Sequence, residues 1–442
     1  MAFTDARGLA ATGADHAALD RFETALAQFQ CYTGDPVATL DGITADRPGF
    51  AMAHLMRGWL LGLAMEAKLL PEARRSLGAA AALPMNERER AHAAALADLL
   101  DGRFADAFRA LDGILADHPR DALALQVGHL GDYYLGDARN LRDRVARVLP
   151  CWTDADPGFH AVLGMHAFGL EEMAAYGAAE ETGRRAVALN PRDGWAQHAV
   201  AHVLEMQGRT GDGIAWMRGN QEHWSTDSFF AVHNWWHLAL YHWDQRQLDA
   251  VFDLYDRHVR ATPSEVVLDM IDASALLWRL HLEGVEVGDR WQELADGWEP
   301  LARDAHYAFN DLHAMMAFVA AGRHDSAAAL IDAQAARIAR GGDNAEMTAR
   351  VGLPLCRAIQ AFGRGDYAGT VALMAPVRGI ANRFGGSHAQ RDVIDLTLME
   401  AALRDGRKGM AVALSAERLA LKPDSPLNRL FRARAKAEPV LA

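Results

Sequence analysis

Residues 181–217, ETGRRAVALNPRDGWAQHAVAHVLEMQGRTGDGIAWM, decide the fold. The segment reads helix, Asn-Pro-Arg-Asp, helix, Gln-Gly-Arg, helix. Proline lacks an N–H and clashes with the preceding turn, so each X-Pro marks a helix stop. Residues 101–137, DGRFADAFRALDGILADHPRDALALQVGHLGDYYLGD, repeat the pattern. The Gly-Arg hinge returns in AAGRHDSAAALIDA (320–333) and FGRGDYAGTVALM (362–374), and SAERLALKPDSPLNRLF (415–431) again stops at Pro.

A period of about 34 residues, with small residues where paired helices touch, is the tetratricopeptide signature. Alanine is abundant and β-branched runs are scarce, which favours helix. The only extended candidate, EGVEVGD near residue 286, reads better as a loop. The fold expected is all-α, a tetratricopeptide-like right-handed α-solenoid of stacked helical hairpins. Before the array, residues 14–31 and 51–69 have helical spacing, separated by a Gly/Pro/Asp break with a short helix from Pro36. Residues 1–70 are therefore read as an N-terminal helical cap and 71–442 as the repeat array, forming one continuous domain with the cap.

The chain has 442 residues, half of them hydrophobic, enough for a large core. The net charge of -13 would repel phosphate backbones, so no nucleic-acid partner is expected. The three cysteines, Cys31, Cys151 and Cys356, are odd in number and widely spaced, which fits no disulfide framework or Cys-based zinc pattern. No secretory signal and no apolar run of membrane-spanning length are evident. The location expected is cytoplasmic, without a membrane partner. The apolar richness of the helices leaves homo-oligomerisation open.

Nineteen histidines are an unusual endowment. In QHAVAHVLEM, His198 and His202 lie four apart on one helical face, and Glu205 extends it. In HNWWHLALYH, His233 and His237 repeat the spacing. Such pairs can bind an ion, but HExxH is absent, so no metal ligand or cofactor is assigned and a divalent metal stays a secondary option. Trp235 and Trp236 point about 100° apart, so one is expected to pack in the core and the other to wall a cavity. Further polar sets are His129, Asp132 and Tyr133; His160, His166 and Glu171; His306, Asn310 and His313; and Ser387, His388, Gln390, Arg391 and Asp392. Buried together, such groups must form a connected network, either stabilising the interior or lining a wet pocket. Cys151 beside His160 is a conceivable nucleophile, though a cysteine next to Trp more often packs as a small hydrophobe. Phosphate-loop, G-x-S-x-G and dinucleotide signatures are absent.

GWAQHAVAHVLEMQGRTGDGIAWM, HNWWHLALYHWD, FNDLHAMMAF, GGSHAQRDV and GHLGDYYLGDARNLRDR together resemble the tetratricopeptide repeat protein 38 family over residues 126–395. The resemblance implies an all-helical solenoid and carries no catalytic assignment. Two functions are open. One is a helical-repeat protein binding a protein partner or small molecule through a His/Trp/Asp-rich concave or central pocket, with His129, Asp132, Tyr133, His198, Glu205, Trp236, Asn310, His313, Gln390 and Arg391 as ligand-binding candidates. The other is a hydrolytic or acid–base enzyme, metal-dependent or not, with His202, His233, His237 and His388 as catalytic candidates and Arg391 holding an anionic substrate group. Repeat folds alone assign no function.

Overall fold

The computed structural model describes residues 3–437. Helices follow one another from His16–Cys31 to Pro426–Lys436, and the class is all-α, built from helical hairpins. The one ladder among the described residues is a two-stranded antiparallel pair, Phe3–Thr4 with Ala10–Ala11, which sequence periodicity did not reveal because each strand has two residues. The helix expected over 51–69 ends at Leu63, where Met65 takes a left-handed conformation (φ 53°) and a short 3₁₀ turn, Ala67–Leu69, follows. Residues 284–289 form a loop, as expected. No described helix is long and apolar enough to cross a membrane.

The chain divides into two compact units, one of residues 1–200 and 222–231, the other of residues 201–221 and 232–442. In the first unit, consecutive helices pair as hairpins, for example Glu87–Leu100 with Phe104–Asp117 and Phe159–Glu172 with Tyr176–Leu189. The Pro-Arg-Asp sequences stop one helix and start the next. Asp121 Oδ1 accepts from the Ala124 N–H at 2.9 Å, and Asp193 Oδ1 accepts from the Ala196 N–H at 2.8 Å, so each aspartate caps the following helix.

In the second unit, helix Val267–Leu282 packs against both Ala308–Ala320 and His388–Arg404. Trp278 Nε1 donates to Thr397 Oγ1 at 2.9 Å, tying the first to the last of these across the interior. The Gln-Gly-Arg hinge works as its sequence suggests. Gly208 takes φ 68°, and the Arg209 N–H returns to the Leu204 carbonyl at 2.8 Å, closing the helix end. Gly213 serves close approach, since a Cβ there would fall 2.3 Å from the Tyr241 ring.

Candidate functional site

The second unit gathers polar groups in its interior, and three helices supply most of them. Glu205 and His202 come from the helix ending at Met206, His233, Trp236, His237 and Tyr241 from Ala231–Asp244, and Asp272 and Arg279 from Val267–Leu282. His233 and His237 are one turn apart, so both imidazoles leave the same face. Gly213 lets the chain sit against Tyr241, whose hydroxyl donates to the Ala201 carbonyl at 2.5 Å and fixes Ala231–Asp244 in place.

The imidazoles of His202 and His237 lie edge to face with centroids 4.5 Å apart, and those of His233 and His237 with centroids 4.9 Å apart. One ligand atom from each of the three lies within 4.8 Å of those of the others. Behind two of the rings stand carboxylates. His233 Nδ1 is 2.9 and 3.0 Å from the two oxygens of Asp272, and His237 Nδ1 is 3.3 Å from Glu205 Oε2. Trp236 stacks on His233 at 5.3 Å and holds its plane. Burial pushes His202 and His237 well below the ordinary imidazole range, and the neighbouring imidazoles push the same way, so both are neutral at pH 7.

Beside this cluster lies a narrow crevice lined by Glu205, Tyr241, Arg279, Asp392, Arg418 and Lys422, with about 20 Å³ of room for a water-sized sphere. Two of its cations are paired. Arg418 grips Asp392 with two bonds of 2.6 and 3.1 Å, and Lys422 Nζ is 3.4 Å from Glu205 Oε1. Burial alone would raise the Asp392 carboxyl, but Arg418 outweighs it and holds the group down to about 2. Arg279 differs. It is 1 % exposed, and its terminal nitrogens donate to main-chain carbonyls, Ala275 at 2.8 Å and Ala389 at 2.7 Å. Its guanidinium lies over the Trp236 and Trp243 rings at 5.3 and 5.8 Å. No carboxylate among the described residues forms an ion pair with it, and its buried Nε has no hydrogen-bond partner. Burial lowers its pKa to about 10, so it stays charged at neutral pH.

Of the residues singled out from sequence, His202, His233, His237, Glu205 and Trp236 come together here. His388 is half-buried at the start of helix His388–Arg404 and is among the groups whose charge bears on His202. Gln390 takes part in a capping box, its Oε1 accepting from the Ser387 N–H at 3.0 Å. Arg391 donates to the Gly386 carbonyl. His313 is buried, with Nδ1 2.9 Å from the Phe309 carbonyl, and Asn310 is half-buried on the same helix. Trp235 stacks on His258 at 3.8 Å, away from the imidazoles that Trp236 walls.

The remaining candidates belong to the first unit. His129 packs near Phe168 and Trp195, and burial pushes it down to about 3. Asp132 receives two bonds from Arg144, of 2.7 and 2.9 Å, and one from Asn140. Tyr133 is half-buried beside Tyr134, and His198 lies among Phe168, Trp195 and Phe230. The partners of His160 are Asp193 at 2.7 Å and Asn190 at 3.1 Å, not Cys151, which is exposed. The thiol in that network is Cys31, 3.3 Å from Asn190 Nδ2, and burial pushes it up to about 12, which keeps it protonated.

Sequence reading missed Asp272, Arg279 and Lys422. A signal existed for the first two. They are charges seven residues apart in the apolar run MIDASALLWRLHL, two turns along one helix face.

No protein-family model matches the chain. Solved structures similar to it include the Cut9–Hcn1 hetero-tetramer of the APC/C, with TM-score 0.42, 11% identity, 87% of this chain covered and 63% of that chain. This chain thus spans less than two thirds of that protein's length. Others are the human IFIT1 dimers with PPP-AAAA (TM-score 0.43) and with m7Gppp-AAAA (TM-score 0.41), each at 14% identity with 96% of this chain and 94% of that chain covered.

Proposed function

We propose that this is a helical-repeat binding protein of the repeat protein 38 type, and that its second unit takes a small ligand through an oxyanion group, a carboxylate or phosphate, at Arg279. One observation carries this reading. A fully buried guanidinium normally faces a carboxylate, because an uncompensated buried charge costs several kcal/mol. Arg279 has no carboxylate in ion-pair contact, with Asp392, Glu205 and Asp272 acting on it only from further off, while its neighbours Arg418 and Lys422 are paired, and it lines a crevice beside them. Two tryptophan rings flank it, which makes ligand entry visible in fluorescence.

The test is titration with inorganic phosphate and with acetate, followed by tryptophan emission and thermal melting. A saturable response that Arg279→Met abolishes and Arg279→Lys weakens is expected. No saturable response to either anion, or one that survives Arg279→Met, would sink the proposal. A second reading, a hydrolytic or acid–base enzyme, is favoured by the His233–Asp272 and His237–Glu205 dyads. It predicts turnover in a hydrolase substrate screen that His237→Ala removes.

A further inference from the structure

We infer that His202, His233 and His237 form a three-imidazole site for a divalent first-row transition ion, zinc before the others, with Asp272 and Glu205 as the carboxylates that orient two of the ligands. This goes beyond the anion reading, since it rests on different residues and a different observation.

The convergence comes first. Three imidazoles from two helices bring ligand atoms within 4.8 Å of one another in the interior of the second unit. Zinc–nitrogen bonds of about 2.0–2.1 Å place tetrahedral nitrogens about 3.3 Å apart, so small side-chain rotations would close the set around an ion. Neutral nitrogen donors suit zinc and its first-row neighbours and suit calcium or magnesium poorly.

The second observation is the pair of carboxylates. A metal-bound histidine usually donates its other ring N–H to a carboxylate, which fixes the tautomer and raises ligand basicity. His233 and His237 both show this arrangement through Nδ1, leaving Nε2 as the coordinating atom. Asp272 is fully buried in mid-helix, and among the described residues His233 is its sole hydrogen-bond partner, with Arg279 on the same helix the other charge that bears on it. Burying a carboxylate is costly, and positive charge placed near it offsets that cost. An ion on the far side of the His233 ring supplies that charge.

The test uses the full chain, stripped with chelator and titrated with Co²⁺, with absorbance in the visible d–d region and metal content after gel filtration as readouts. One equivalent of cobalt with the intense bands of a four- or five-coordinate site, displaced by Zn²⁺, is expected. His233→Ala/His237→Ala should lose the bands. Should that double variant fail to fold, Asp272→Asn decides. It keeps all three ligands and should weaken affinity about 10–100-fold. The inference is overturned if no ion is retained, if the double variant binds as the parent does, or if Asp272→Asn leaves the affinity unchanged. Arg279→Met separates the two proposals, for it should abolish the phosphate response and leave the cobalt spectrum intact.

Discussion

Histidine–aspartate pairs occur in both units, and their surroundings differ. In the first unit, His92 Nε2 lies 3.0 Å from Asp121, and His160 Nδ1 lies 2.7 Å from Asp193. Each of those aspartates spends its other oxygen on the N-terminus of the next helix. The imidazole thus braces a cap, and the pair is part of the hairpin joint. In the second unit, Asp272 stands inside helix Val267–Leu282, where backbone N–H groups are already taken, and both its oxygens address His233. The same two residue types are a joint in one place and a positioning device in the other. What separates them is whether the carboxylate also caps a helix.

That contrast can be broken by measurement. The largest effect is expected at Asp121, which also pairs with the buried Arg88 at 2.7 Å. Asp121→Ala removes a cap and strands a buried cation, so urea unfolding should show a loss of about 3–5 kcal/mol. Asp311 offers a third kind of buried aspartate, with neither cap nor imidazole and only Gln334 at 3.0 Å. Burial raises its carboxyl to about 7, with Asp304 adding to the rise and Arg337 opposing it. Because the folded-state pKa lies above the unfolded one, its contribution is complete below the unfolded value and is lost as pH rises through the folded value. Stability should therefore fall between about pH 4 and pH 8, and Asp311→Asn should remove about 2–4 kcal/mol of that slope in urea midpoints.

Smaller effects follow. Asp193→Ala loses a cap and a hydrogen bond to the partly exposed His160, worth about 1–3 kcal/mol by thermal or urea unfolding. Asp272→Asn should change stability by less than about 1 kcal/mol, since an amide of the same shape replaces a costly buried charge. If Asp272→Asn instead destabilised the chain as much as Asp121→Ala, the pair would be another joint and the contrast would fail.

Much of the fold was legible because its signals are local. Pro119 and Pro191 stop helices, Asp121 and Asp193 start the next, and Gly208 supplies the left-handed turn, all within a few residues of chain. The His198/His202 and His233/His237 spacings also showed which imidazoles share a helix face. They did not show where those faces go. It took the packing of helices to show that His202 meets His233 and His237. Gln390 looked like a site residue and closes a capping box, because a polar side chain at a helix start can satisfy its own backbone.

The helices and their hairpin turns were readable from the chain alone, since they depend on backbone sterics and short-range hydrogen bonding, and the surplus of imidazoles is a matter of composition. Long-range packing set the rest: Asp272 stands behind His233, 39 residues away, Lys422 meets Glu205 across 217, and Arg279 is enclosed with main-chain carbonyls and no carboxylate in ion-pair contact. Those outcomes depend on which helices pack together, and charge burial is set by that packing and not by the residues flanking each charge in the chain.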